Sequence, residues 1–288
     1  LKISKRRLLI IVKKWDILNN QRLTIMSKKL TLLLLLLATT FSLSAQDSEQ
    51  SESKFWWSAG ADLSSNYLWR GYDQSYRGEM FDPSVQYGVT LGYGKFYIDV
   101  WGNNSLISTY NEFDFSLGFE HKGLKITLYD VYCGLSSEMP AFFDDTSHSL
   151  TATIDYTFFE RLRLHWGTTF LHSADYIVKD DGTSRRAFSS YFEIAYTQPV
   201  KHLFDIEITA GASPWTGPFW CAGPQRLVDG APELDFESIP QGFNVTNLSL
   251  MLKREFDFRL FTLPLNLGYT FNPTTKRHYV LLKAGVWF

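Results

Sequence analysis

After residue 54 the chain alternates apolar and polar side chains with a period of two over most of its length. The clearest stretch runs from Leu150 to Phe158, where every even position is apolar and every odd one polar. Phe113, Phe115, Leu117 and Phe119 alternate with Asp114, Ser116, Gly118 and Glu120, and Ile206, Ile208, Ala210 and Ala212 with Asp205, Glu207, Thr209 and Gly211. Leu263, Leu265, Leu267, Tyr269 and Phe271 repeat the pattern. Side chains two apart share a strand face, so each segment predicts a strand with one apolar and one polar side.

About twelve such segments can be counted, near 55–66, 82–92, 95–103, 111–121, 124–134, 148–158, 161–172, 187–197, 202–212, 242–253, 258–270 and 278–288. Their connections alternate in length. Short turns are expected around 92–94, 121–123, 159–160, 199–201 and 254–257, and longer loops near 67–81, 104–110, 135–147, 173–186, 213–241 and 271–277. An even strand count with short turns at one end and long loops at the other predicts an all-β fold, a transmembrane antiparallel up-and-down β-barrel of about twelve strands.

A soluble sandwich would alternate too. Against it, the segments have the length that crosses a bilayer at a tilt, roughly 9 to 11 residues, where soluble strands average about five or six. Trp and Tyr recur at the ends of the apolar faces, as in an interfacial girdle. The polar faces carry Asp62, Asp99, Asp114, Asp155, Arg161, Arg163, His165, Glu193, Glu207 and Lys283, which a dry core would not accept unpaired but a wet lumen would. These are the expected pore-lining residues, together with Arg70. The segment ending at Phe288 has Val280, Leu282, Ala284 and Val286 on one face. That pattern resembles the C-terminal signal read by the machinery that inserts bacterial outer-membrane barrels, which places the expected site in the outer membrane, in contact with its lipid.

Composition sharpens the picture. The 288 residues include 23 Phe, 15 Tyr and 9 Trp, an aromatic fraction of 16%. Of 28 Lys/Arg and 30 Asp/Glu, nine bases and one acid fall in residues 1–45, so 19 bases and 29 acids remain, a formal net charge of −10. An acidic body argues against nucleic acid as a partner, since that footprint needs clustered Lys/Arg.

The basic excess belongs to an address. Met26-Ser27-Lys28-Lys29 is followed by an apolar run to Phe41 and then Ser42-Leu43-Ser44-Ala45. A basic start, an apolar centre of about a dozen residues and small residues before a polar stretch make a secretory signal, and the run is shorter than the roughly 20 residues of a membrane span. The expected organisation is an upstream over-extension at 1–25, a signal peptide at 26–45 cleaved after Ala45 or Ser44, a polar spacer at 46–54 and a barrel at 55–288.

Little in the sequence speaks of covalent chemistry. The pairs His148-Ser149 and His172-Ser173 are adjacent, so on a strand their side chains point to opposite faces and form no preformed nucleophile and base. No Gly-x-Ser-x-Gly elbow, metal-ligand cluster, phosphate loop or dinucleotide fingerprint appears after residue 45. The expectation is a protein that is not an enzyme and needs no cofactor or metal, passing small polar solutes or ions. The alternatives are a closed barrel that binds or serves as a surface structure, and a barrel that hydrolyses lipids.

The most specific string is Ser65-Asn66-Tyr67-Leu68-Trp69-Arg70-Gly71-Tyr72-Asp73-Gln74-Ser75. It resembles the first-strand signature of the TorF-like porin family, in which a Ser-Asp-Tyr-aliphatic/aromatic-Arg-Gly core is followed shortly by Gln-Ser; Asn66 stands where Asp is commoner, and Trp69 takes the aromatic position. The resemblance implies an outer-membrane barrel over roughly 55–288 and names no solute. Arg70 has the parity of Asp62, Ser64 and Asn66, so a continuing strand would aim it into the lumen. There it serves either as a charge that attracts anions or as a structural partner of a lumen acid.

Two further features bear on selectivity. Arg161, Arg163 and His165 share a parity and form either an anion-favouring stripe or a neutralising partner set for Asp155, Glu193, Asp205 and Glu207. The loop 213–241 holds Pro214, Pro218, Pro224, Pro232 and Pro240 with Trp215, Phe219 and Trp220. It is expected either to constrict or cover the mouth, to touch a ligand, or to pack on the rim. Cys133 and Cys221 both fall at the long-loop end, and a disulfide between them is one expectation for an oxidising compartment.

Overall fold

A computed structural model describes residues 54–74, 81–108, 110–134, 142, 148–171, 175–178, 182–218, 226–228, 231–233 and 240–288. Twelve strands close into one barrel: β1 (Phe55–Ser64), β2 (Ser84–Tyr93), β3 (Phe96–Ser105), β4 (Asn111–His121), β5 (Leu124–Gly134), β6 (His148–Phe158), β7 (Leu162–Leu171), β8 (Ser190–Val200), β9 (Phe204–Ser213), β10 (Asn244–Asp257), β11 (Thr262–Asn272) and β12 (Arg277–Trp287). Each pairs antiparallel with its sequence neighbours. β1 meets β12 through Gly60↔Trp287 to Ser64↔Lys283, extended by reciprocal backbone hydrogen bonds between Ala59 and Phe288 of 3.2 and 2.9 Å.

The closed ladder leaves no strand edge, which is the condition for a sheet to stand in hydrocarbon, where each unpaired backbone group costs several kcal/mol. Short turns gather at the end that also holds Phe55 and Phe288, here called the inner end. One of them has Lys122 and Gly123 both at positive φ, 49° and 82°, the type I′ geometry whose twist matches that of paired strands.

Burial is inverted relative to a water-soluble globule. Leu63, Ile208 and Val280 on the outward parity are 57%, 58% and 63% exposed, while Thr151, Asp62 and Glu193 on the inward parity are 0%, 5% and 7% exposed. Aliphatic side chains fill the middle of the outer surface, and rings flank them. Toward the inner end lie Phe96 and Phe119 (5.3 Å between centroids), Tyr156 and Phe158 (4.5 Å) and Phe258 and Phe261 (4.8 Å). Toward the other end lie Phe170 with Phe188 (6.4 Å) and Phe192 with Phe243 (6.1 Å). An apolar band between two aromatic girdles is the dress of a barrel that spans a bilayer.

Inside, large rings fit where the neighbouring strand has no side chain. A Cβ on Gly118 would stand 1.9 Å from the Tyr97 ring and one on Gly211 1.9 Å from the Tyr191 hydroxyl. These glycines leave room for the rings against the wall. Pro264 sits in β11, where the ladder to β12 skips from Thr262↔Trp287 to Leu265↔Ala284 without a change of register, as expected of a residue with no N–H to donate.

Several boundaries differ from the sequence expectation by a few residues, two of them with consequences for the site or the turns. β1 stops at Ser64, short of 66, and β10 runs on to Asp257, through the residues expected to turn. Arg254 stays in the strand and donates to the carbonyls of His202 and Leu203, which lie in the neighbouring inner turn.

Candidate functional site

The inward parity of β1 to β12 lines the lumen with charge. On one side, Arg163 of β7 bridges two carboxylates, donating to Asp155 Oδ1 at 3.2 Å and to Glu193 Oε1 at 2.5 Å. His165 Nδ1 lies 2.7 Å from the same Asp155 oxygen. Since a carboxylate only accepts, the proton is on Nδ1, and in the neutral ring Nε2 is then an acceptor. Glu193 also receives Tyr191 Oη at 2.7 Å and Asn247 Nδ2 at 3.2 Å. This cluster arises from register, because Glu193 stands opposite His165 and Asp155 opposite His165 on its other side.

Two more ion pairs tie neighbouring strands. Lys283 lies 2.9 Å from Asp62, which also accepts Trp287 Nε1 at 3.0 Å, and Lys253 lies 2.8 Å from Glu207. The wall formed by β3 and β4 is different. It carries Asp99, Glu112, Asp114 and Glu120, and hydroxyl groups donate to two of them: Thr90 to Asp99 at 2.5 Å, and Tyr67 (2.9 Å) and Tyr110 to Glu112.

A segment beyond β1 enters the lumen. Leu68↔Asp73 and Trp69↔Tyr72 pair as a two-rung hairpin whose turn residues, Arg70 and Gly71, have φ of 56° and 84°. Both values are positive, so this is again a type I′ turn. Gly71 packs so closely on Thr246 of β10 that a Cβ would stand 1.9 Å from its carbonyl oxygen, and the Gly71 carbonyl accepts Asn272 Nδ2 at 3.0 Å. The Arg70 guanidinium lies 4.5 Å from the Tyr191 ring centroid, a cation–π distance. On the other flank Tyr67 meets the Trp101 ring at 5.3 Å. The hairpin therefore leaves β1 and reaches β8, β10 and β11, crossing the lumen.

Beneath it is a cavity of about 780 Å³, running from the inner turns at Gly123 and Glu160 to the roof made by Trp69 and Arg70. Its ionisable lining comprises Asp99, Asp114, Glu120, Asp155 and Glu160 against Arg70, Lys125 and Arg163, with His165. With the imidazole neutral that is five acids against three bases, a net charge of −2.

Of the residues expected to line a pore, Arg70, Asp99, Asp114, Asp155, Arg163 and His165 come together around this cavity. Asp62, Glu207 and Lys283 lie on the lumen wall in the pairs described above. Arg161 is corrected: it is exposed in the inner turn, donating its backbone N–H to the Phe158 carbonyl at 3.0 Å, because β7 begins only at Leu162. For Trp215 the structure shows the rim alternative: its ring is 5.9 Å from Trp166 on the outward face and its Nε1 donates to Phe188 O at 3.2 Å. Phe219, Trp220 and Cys221 lie outside the described residues, and Cys133 is half-buried near the outer end of β5. The roof by the 68–73 hairpin escaped the sequence reading. Its signal was an Arg-Gly pair between Trp69 and Tyr72, a two-residue turn flanked by rings.

His148 and Ser149 do face opposite ways. His148 is on the outward parity, 2.7 Å from Asp130, while Ser149 is buried on the lumen side. His172 and Ser173 lie outside the described residues. Among the described residues no group of three or more His, Cys, Asp or Glu is arranged to hold a metal ion.

No protein-family model matches the sequence, and no characterised protein is recovered as a relative. Among solved structures, the NanC porin aligns at 8% identity with a TM-score of 0.44, over 81% of this chain and 99% of that one. An outer membrane channel from Pseudomonas putida F1 aligns at 10% identity and a TM-score of 0.37, over 84% and 99%. OmpF of Salmonella typhi, in a complex with daunomycin, aligns at 7% identity and 0.33, over 81% and 97%. The likeness is one of barrel build, at identities that assign no solute.

Proposed function

We propose that this chain is a passive channel of the bacterial outer membrane, passing small polar solutes and ions with a preference for cations. The observation that carries this reading is the charged cavity of about 780 Å³ inside an apolar-jacketed closed barrel. Ionisable groups are concentrated inside the wall and apolar side chains outside it, and charge within a bilayer is costly and marks an ion or solute path. The cation preference follows from the lining. Arg163 is held by Asp155 and Glu193, whereas the β3–β4 wall presents carboxylates facing hydroxyl donors.

In this reading residues 26–45 direct export and the segment ending at Phe288 is read by the insertion machinery. The string from Ser65 to Ser75 supports membership of the TorF-like porins, and its Trp69 and Arg70 roof the cavity, which gives it a task in permeation. Purified barrel in a planar bilayer should give discrete current steps, with a reversal potential in a salt gradient on the cation-selective side. Persistent absence of current overturns the channel. That outcome would favour the second reading, a closed binding barrel, which the hairpin lying across the lumen supports.

A further inference from the structure

Two buried acceptor atoms beside the cavity have no hydrogen-bond partner in the structure: Asp114 Oδ1 on β4 and His165 Nε2 on β7. His165 is only 7% exposed, and its Nδ1 is already committed to Asp155. A buried polar atom left unpaired is costly, and such exceptions call for an explanation in what occupies the site. Both orphans want a donor. Around them the cavity offers Asp99 as a second carboxylate, and the indoles of Trp69 and Trp101 at the roof end. The Arg70 guanidinium, which would repel a cation, also lines the cavity; it stands over the Tyr191 ring beside His165, on the β7–β8 side, whereas Asp99 and Asp114 are on β3 and β4.

We infer that this cavity is a binding site for a small organic ammonium ion. The ammonium group, with its N–H donors and positive charge, lies against Asp99 and Asp114, and its carbon body lies along Trp69 and Trp101. Carboxylates supply the charge, while indole faces favour cations and apolar carbon alike. An inorganic cation would use the acids but bring no carbon body to lie along the rings, and a neutral polyol would use the rings but leave the acidic wall uncompensated. The inference rests on the channel reading for its route of access, but binding itself is separable from permeation.

Three probes built on four carbons decide it: n-butylammonium, butanol and butyrate, each added at millimolar concentration to the purified barrel. In a planar bilayer carrying KCl current, n-butylammonium should block at a concentration at least five-fold lower than either of the others. The same compound should change the tryptophan emission of detergent-solubilised protein saturably. Asp114→Asn should weaken both effects about ten-fold, the loss of one close charge pair at roughly 1.4 kcal/mol, and Trp69→Leu should abolish most of the emission change. Leu63→Ala, on the lipid-facing side of β1, should leave them unchanged.

Equal block by butanol, stronger block by butyrate, or an Asp114→Asn variant that blocks like the parent overturns the inference. KCl current with no block overturns the site and leaves the channel standing. Saturable emission change without any current overturns the channel and leaves the site standing.

Discussion

Removing the charge of Arg163 while keeping its stem, as in Arg163→Met, tests whether lumen charge governs selectivity. Arg163 is the cation between Asp155 and Glu193, and its loss takes the charge of the cavity lining from −2 to −3. For a permeating ion about 7 Å from that charge in water, the interaction is roughly 0.6 kcal/mol. A cation gains that amount and an anion loses it, so the unscreened permeability ratio moves by about 1.2 kcal/mol, or roughly seven-fold. At 0.1 M salt the screening length is about 10 Å, which halves the energy and leaves about a three-fold rise in cation preference. At 1 M it is about 3 Å and the effect falls to almost nothing. Reversal potentials at both salts measure it directly. Glu193 keeps its Tyr191 and Asn247 donors, so the wall should hold, and Arg163→Lys should behave like the parent. A conducting Arg163→Met barrel whose ratio stays put or falls at 0.1 M would refute the reasoning, as would a shift that persists unchanged at 1 M.

Other consequences can be measured separately. Ile208→Arg places a charge on the bilayer side and should cost about 2 to 4 kcal/mol in urea unfolding from lipid vesicles, whereas Thr209→Arg on the lumen side should cost far less; equal costs would contradict the inverted burial. Gly118→Val drives a side chain into the Tyr97 ring and should lower the unfolding midpoint by the equivalent of about 2 kcal/mol or more, with Gly118→Val/Tyr97→Ala recovering part of the loss. Asp175, in the outer connection between β7 and β8, accepts the Ser189 hydroxyl and backbone N–H, and burial raises its pKa above the ordinary carboxylate value. A raised carboxyl contributes stability below its unfolded pKa and loses it as pH climbs through the folded one. Hydrogen exchange of residues 186–189, corrected for intrinsic rate, should therefore be more protected at acid pH than at neutral, and a flat profile would count against it.

Alternation alone located all twelve strands to within a few residues, because a strand that has water on one side and lipid on the other must write both solvents into its sequence. It failed where local chemistry overrides parity. Arg254, Glu255 and Asp257 looked like a turn, yet Arg254 finds two carbonyls across the ladder and the strand continues. Arg70 seemed to belong to a longer β1. Parity led to the correct side of the wall for the wrong reason, since a positive φ at Arg70 and Gly71 folds the chain back into the lumen instead. The bridge from Arg163 to Asp155 and Glu193 was legible as three residues of one parity but not as a contact. Which of several acids it meets depends on the registers β6–β7 and β7–β8, and turn geometry sets those. Trp215 carried no mark separating a rim ring from a plug, because both are aromatic, loop-borne and next to proline.

Closure of β1 on β12 brings Ala59 and Phe288 into reciprocal hydrogen bonds at the inner end. The barrel's two extremities are therefore already side by side, and a short peptide bridge would join them without moving a strand. Circular permutants opened in an outer connection, such as 273–276 between β11 and β12, should rebuild the same cylinder with its beginning and finish relocated to the opposite rim.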